Sequence, residues 1–196
     1  AAALKADRCD IYTDVDGVYT ADPRIVPKVQ RLDQISYEEM LELARVGANV
    51  LHPRSVETAK QCHVAMRVRS SFNLDDLGTL ILGVDDMEIY KPVAGTAADT
   101  SQVRLVLTHV SDTPGCAAKL FSKLAEKNIS VDMIIQSFAR NQGTNDIAFT
   151  VDKNDKDAAV KVCEGLKSEL QTGEIFVDED IAKVSIVGAG MVDRPG

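Results

Sequence analysis

The residues predict two successive units of different class. An α/β unit spans residues 1–90, a linker follows over 91–100, and a ferredoxin-like βαββαβ unit of α+β class spans 101–180. The first strand of a second such unit is expected within 181–196. Three observations carry this reading. Helical and strand periods alternate up to about Tyr90; from Ser101 they run strand, helix, strand, strand, helix, strand. Third, Val103-Arg104-Leu105-Val106 followed by Asp112-Thr113-Pro114-Gly115 returns as Val184-Ser185-Ile186-Val187 followed by Asp193-Arg194-Pro195-Gly196 at constant offset. A chain of 196 residues has room for two small cores.

In the first unit, Ser36 and Glu39 have the spacing of a capping box. Met40, Leu43, Ala44 and Gly47 recur behind them at helical spacing, which predicts a helix with one buried face. Pro53 suits the first turn of a second helix, where its missing N–H costs nothing, with Val56 and Ala59 along it. From Val64 the period drops to two. Val64, Met66 and Val68 alternate with Ala65, Arg67 and Arg69, as in a strand with one covered face. Thr79 to Leu82 reads as another strand. Periodicity fails between Asp85 and Thr100, where Pro92, Gly95 and small or polar residues mark the linker.

In the second unit, Val103 to Val110 reads as a strand. Pro114 opens a helix striped by Ala117, Leu120, Phe121 and Leu124 that ends near Asn128. Ile129 to Phe138 is a strand, 141–145 a turn, and Asp146 to Val151 a strand with Ile147, Phe149 and Val151 on one side. Asp155 to Leu170 is the second helix, with Ala158, Val162, Leu166 and Leu170 inward, and Glu174 to Val177 closes the set.

A net charge of −8 without a lysine or arginine block argues against nucleic acid and anionic membrane, both of which reward a basic face. No apolar run approaches the length of a membrane span, and Ala1 to Asp10 lacks the pattern of a signal peptide. Cys9, Cys62, Cys116 and Cys163 form no C-x-x-C pair and share no metal-ligand spacing with His52, His63 or His109. They read as free thiols, which makes a reducing cytoplasm the default location and leaves no metal site to assign.

The densest chemistry lies in Ile11 to Arg24, IYTDVDGVYTADPR. Asp14 and Asp16 flank a strand end beside Gly17, which can take the positive φ of a tight reversal, and Pro23 stiffens the exit before the donor fork of Arg24. An EF-hand loop fails on register: with Gly17 at the sixth place, the first ligand falls on Tyr12 and the twelfth on Pro23. Gly188-Ala189-Gly190 after a strand invites a dinucleotide reading, but Asp193 occupies the third glycine position.

This segment closely resembles the nucleotide-binding segment of the aspartate kinases, members of the amino-acid kinase family. The resemblance continues through Ile25-Val26-Pro27-Lys28, the helix from Ser36, LHPRSVETAK at Leu51 to Lys60, and VRSSF at Val68 to Phe72 ahead of Gly78-Thr79-Leu80-Ile81. It implies that residues 1–90 are the C-terminal part of an amino-acid kinase α/β domain. Thr13 and Asp14 then contact the nucleotide, Tyr19 lies on the adenosine side, Arg24 meets the phosphates, and Asn49 and Val50 add a further contact. Many relatives carry lysine where Asn49 stands, so that contact is expected to rest on the backbone.

The repeated D-x-P-G at a strand-to-helix junction resembles the effector loop of ACT domains, which makes 101–180 an ACT domain and 181–196 the start of another. By that resemblance Asp112, Gly115, Ala117, Asp132 and Gln136 form an amino-acid effector site. The chemistry suits an amino acid: N–H groups at a helix start attract a carboxylate, and Asp112 can take an ammonium. The bland alternative is that Asp112 merely caps the helix.

Taken whole, the resemblance implies ATP-dependent phosphorylation of L-aspartate to 4-phospho-L-aspartate, with Mg2+ as cofactor, on the route to lysine, threonine and methionine. Lysine or threonine, or both, would act as effector, and a homodimer or higher oligomer would form through ACT domains. The lysine- and glycine-containing phosphate segment and the aspartate-binding residues of such enzymes lie ahead of Ala1. No catalytic residue is therefore assigned within the chain, and no turnover is expected from it alone. The competing expectation is a non-catalytic amino-acid-binding ACT regulatory protein, against which the intact TDVDGVYTADPR segment speaks.

Overall fold

The computed structural model describes residues 1–48, 50–87, 92–138 and 143–191. The chain divides into two compact units, Thr100–Lys183 and the remainder, in which Ala1–Asp99 is joined by the segment from Val184 onward.

In the first unit, four strands lie in the order β1-β3-β4-β2: β1 (Arg8–Thr13), β2 (Gln34–Ser36), β3 (Ala65–Ser70) and β4 (Thr79–Leu82). β1 runs parallel to β3 and β2 parallel to β4, while β3 and β4 are antiparallel. The two-residue period places Met66, Val68 and Ser70 on the buried face of β3, at 2%, 0% and 6% exposure. Met66 and Val68 belong with Met40, Leu43 and Val56 to one apolar core, the latter three supplied by α1 (Tyr37–Arg45) and α2 (Pro53–Gln61). Ser36 closes the expected capping box. Its Oγ accepts from Glu39 N at 3.2 Å, and the Glu39 carboxylate accepts from Ser36 N at 3.2 Å and Ser36 Oγ at 2.9 Å. Pro53 does open α2, with the His52 ring capping Arg54 N at 3.2 Å. The three-residue β2 has no period long enough to read and was not expected.

The second unit is a four-stranded antiparallel sheet in the order β7-β8-β6-β9, built from β6 (Gln102–Ser111), β7 (Val131–Phe138), β8 (Thr144–Asp152) and β9 (Ile175–Asp178). With α3 (Cys116–Glu126) and α4 (Lys156–Leu166) it gives the expected βαββαβ order. Ile147, Phe149 and Val151 are buried together as their alternation predicts, and Phe149 meets Phe121 edge to face at 5.6 Å between ring centres.

Three expectations need correction. Pro114 does not open α3; it sits in the turn before it, and Gly115, at φ +100°, is the residue from which the helix starts. A short helical turn at Lys153–Asp155 precedes α4, which runs Lys156–Leu166 rather than to Leu170, and Ala159, Cys163 and Leu166 face inward while Ala158 is exposed. The stretch read as a linker contains β5 (Gly95–Asp99), which pairs with β10 (Lys183–Val187) in a two-stranded sheet. Both have small or alternating side chains that suit a strand once a partner exists, and β5's partner lies too far along the chain for local reading. The ferredoxin-like unit is thus looped out between two paired strands. The second D-x-P-G, at 193–196, lies outside the described residues, as do 141 and 142 of the expected turn at 141–145, whose last two residues belong to β8.

Among the described residues, no helix is long and apolar enough to cross a membrane, and no group of three or more His, Cys, Asp or Glu could hold a metal ion. We expect Ser36→Ala to lower stability by about 1–2 kcal/mol, read as a reduced urea midpoint at unchanged slope.

Candidate functional site

β1 ends at Thr13 directly beside Ser70, the last residue of its parallel neighbour β3, and Ser71 N donates to the Thr13 carbonyl at 2.8 Å. Open α/β sheets bind ligands off the carboxyl ends of their parallel strands, and the acidic segment leaves β1 at such a point. It reverses at Gly17, where a Cβ would lie 2.5 Å from Thr79 Oγ1 and 2.9 Å from Arg31 Cδ. Any side chain there would push the hairpin off the sheet. Val18 is buried behind it. Its N–H donates to Thr79 Oγ1 at 2.8 Å, and that hydroxyl donates to the Leu32 carbonyl at 2.6 Å.

Thr13 is half-buried and its hydroxyl donates to the exposed Asp14 at 3.0 Å. Tyr19, also half-buried, donates to Asp16 Oδ1 at 2.8 Å, and this bond to a carboxylate raises its phenol above the usual value. Arg24 is 87% exposed and already forked onto Asp22, Nε to Oδ1 at 3.0 Å and Nη2 to Oδ2 at 2.7 Å. Asp14 adds to the field at Arg24. An ion pair this exposed is weak, so an incoming phosphate can displace Asp22. Val50 packs on the core of this unit with its N–H given to the Ala48 carbonyl at 2.9 Å, and Asn49 lies outside the described residues.

Sequence reading missed the groups that hold the hairpin. Arg31 Nη1 reaches Asp76 Oδ2 at 2.6 Å and the Asp16 carbonyl at 3.3 Å. A cleft of about 420 Å³ beside them is lined by Arg31, Asp33, Arg67 and Asp76 among others. No local pattern could have found Arg31 and Asp76, because they are brought together by the parallel pairing of β2 with β4.

In the second unit, Asp112 follows β6, its N–H donating to the Gly143 carbonyl at 3.0 Å and its carboxylate accepting from Asn145 Nδ2 at 2.8 Å. Asp112 therefore does not cap α3, whose start has no side-chain cap at all. Gly115 and Ala117 sit at that uncapped start, with N–H groups and the positive helix end available to an anion. The loop is aimed by a bulge in β6 between Leu107 and Val110, where His109 takes φ +56° and its N–H donates to Asp146 Oδ1 at 2.9 Å.

Gln136 pairs with Ile147, near the Asp112 end of the sheet, where Phe138 pairs with Asn145. Asp132 does not join them. It lies beside Val131, which pairs with Val151, about 20 Å along the strand from that end, and it is ion-paired to Lys183.

Residues 1–70 match the model of the amino acid kinase family, and residues 103–165 match an ACT domain model. The chain is 47% identical to the aspartokinase of Corynebacterium glutamicum over 199 aligned residues, covering 100% of this chain and 47% of the relative. It thus spans about half the length of the curated relatives it matches. Two solved structures of E. coli aspartokinase III are similar. One, with aspartate and ADP (R-state), has 31% identity and a TM-score of 0.79 over 100% of this chain and 43% of the other. The second, with lysine and aspartate (T-state), has 34% identity and a TM-score of 0.72 over 95% and 41%. The regulatory subunit of Thermus thermophilus aspartate kinase, ligand free, has 41% identity and a TM-score of 0.50 over 54% of this chain and 68% of that subunit.

The hairpin's attachment has a pH signature. Arg31 holds the Asp76 carboxyl below its ordinary value of 3.8. A depressed carboxyl contributes stability that is present above the unfolded value and lost as pH falls through the folded one. This solvent-screened pair should therefore add only a small decline in melting midpoint as pH drops from roughly 5 to 3, and Asp76→Asn should make that fall slightly shallower in a calorimetric series.

Proposed function

The chain belongs to the aspartate kinase family, and from that membership we propose that the protein transfers the γ-phosphoryl of ATP to the side-chain carboxylate of L-aspartate. A carboxylate oxygen attacks the γ-phosphorus, the bond to the β-phosphate oxygen breaks, and ADP leaves with 4-phospho-L-aspartate as product. The observation that carries this reading is the hairpin at the carboxyl ends of β1 and β3, with Thr13, Asp14, Tyr19 and Arg24 along it. That aspartokinase III takes up aspartate and ADP supports the same pair of ligands here.

Phosphoryl transfer is catalysed chiefly by positioning and by neutralising charge on the transferred group. Arg24 supplies a cation on an exposed arm, and Tyr19 supplies a fixed aromatic wall for the adenosine side. A Mg2+ carried on the nucleotide phosphates would neutralise part of their charge, and the exposed carboxylate of Asp14 would offer it a hard oxygen ligand on the hairpin.

In the second unit, Asp112, Gly115, Ala117 and Gln136 are read as an effector site for lysine or threonine. The lysine bound by aspartokinase III supports that class of ligand. The effector's carboxylate meets the uncapped start of α3 and its ammonium meets Asp112, a division of charge that fits any free amino acid. Assembly into a dimer or larger oligomer runs along the edge strand β7, which exposes Met133, Ile134 and Ile135. The free thiols suit a reducing cytoplasm. The products serve lysine, threonine and methionine synthesis.

In the full-length enzyme, Asp14→Ala should raise KM for ATP while leaving effector binding intact, and unchanged kinetics would refute the nucleotide assignment. Asp112→Ala should relieve feedback inhibition and spare uninhibited kcat; an enzyme still fully inhibited would show the effector loop to be elsewhere.

A further inference from the structure

The hairpin is held by a chain of polar contacts that no sequence motif encodes, and one residue sits at its centre. Arg31 lies on the return arm, bridged antiparallel to Tyr19. Its Nη1 is 2.6 Å from Asp76 Oδ2, 3.3 Å from the Asp16 carbonyl and 3.7 Å from Asp16 Oδ2. Asp76 is itself immobilised. Its second oxygen accepts from Gly78 N at 2.8 Å, and its carbonyl accepts from Arg69 Nε at 3.0 Å. Arg69 in turn donates to the Tyr12 hydroxyl at 2.9 Å and lies over the Tyr12 ring.

Contacts therefore run from β1 and β3 through Asp76 and Arg31 to Asp16, and from Asp16 Oδ1 to the Tyr19 hydroxyl. We propose that Arg31 is a positioning residue for nucleotide binding: its guanidinium fixes Asp16, and through Asp16 the ring of Tyr19, against the loop after β3. The inference rests on the nucleotide reading of the hairpin. Arg31 itself touches no reacting atom.

The geometry needs arginine rather than any cation. One guanidinium meets a carboxylate on one side and a carbonyl on the other, and a lysine ammonium lacks the planar fork that keeps both in register. The stem matters as well, because Arg31 Cδ fills the space beside the missing side chain of Gly17. The side chain is 30% exposed, so its pairs are screened and contribute little to global stability. Its loss should therefore appear in nucleotide affinity before it appears in folding.

The test is steady-state kinetics of the full-length enzyme with ATP varied, alongside thermal unfolding, for Arg31→Met, Arg31→Lys, Asp76→Asn and Asp14→Ala. We expect Arg31→Met to raise KM for ATP by roughly fivefold to tenfold with kcat held within about twofold, the pattern of lost uniform binding. Asp76→Asn should move KM the same way, Arg31→Lys should recover part of the loss, and all should melt close to the parent. Should Arg31→Met fail to fold, Asp76→Asn decides. An unchanged KM in both folded variants while Asp14→Ala raises it would overturn the role of Arg31 alone. If Asp14→Ala also leaves KM unchanged, the nucleotide reading falls and this inference falls with it.

Discussion

One buried hydroxyl governs the arrangement of the first unit. Thr79 Oγ1, wholly enclosed, accepts the Val18 N–H and donates to the Leu32 carbonyl, so the outgoing and returning arms of the hairpin are both tied to the first residue of β4. Each such bond contributes about 1 kcal/mol net, but either backbone group left unpaired in that interior would cost about 1–3 kcal/mol. Valine has the same shape and could serve neither group. The absence of a side chain at Gly17 lets the hairpin come near enough for both bonds to form. The acidic residues, Tyr19 and Arg24 owe their placement to this clamp.

The second unit reaches a comparable result by different means. A bulge in β6 turns the end of the strand, Asp146 holds the bulge by accepting from His109, and Asn145 holds Asp112 just beyond it. Two neighbouring polar residues of β8 thus fix the loop from opposite sides, and Asn145 does so from a position only 3% exposed. The start of α3 is left without a side-chain acceptor, and its exposed N–H groups face solvent.

Legibility in the sequence followed the range of the interactions. The capping box, the start of α2, the alternation in β3 and β8 and the order of elements in the second unit are local patterns, and all could be read directly. Boundaries slipped where a residue had two suitable roles: Pro114 fits a first helical turn as well as the turn before it, and Gly115 decides between them only through its φ of +100°. β2 is too short to display a period. For the sites, residue type pointed to the hairpin and to Asp112 but could not reveal their supports. Arg31, Asp76 and Thr79 act across sheet pairings, and Asp132, adjacent in motif to Gln136, is carried away from Asp112 by the direction of β7.

The pairing of β5 with β10 has a kinetic consequence. Roughly eighty residues separate the two strands, and closing so long a loop costs configurational entropy that a two-stranded ribbon repays poorly. The ferredoxin-like unit, whose own contacts are nearer in sequence, should collapse first and bring the distant ends within reach. Maturation of the ribbon is then subordinate to that of the inserted unit, so a lesion in the inserted core would delay zipping of strands that are not part of that core.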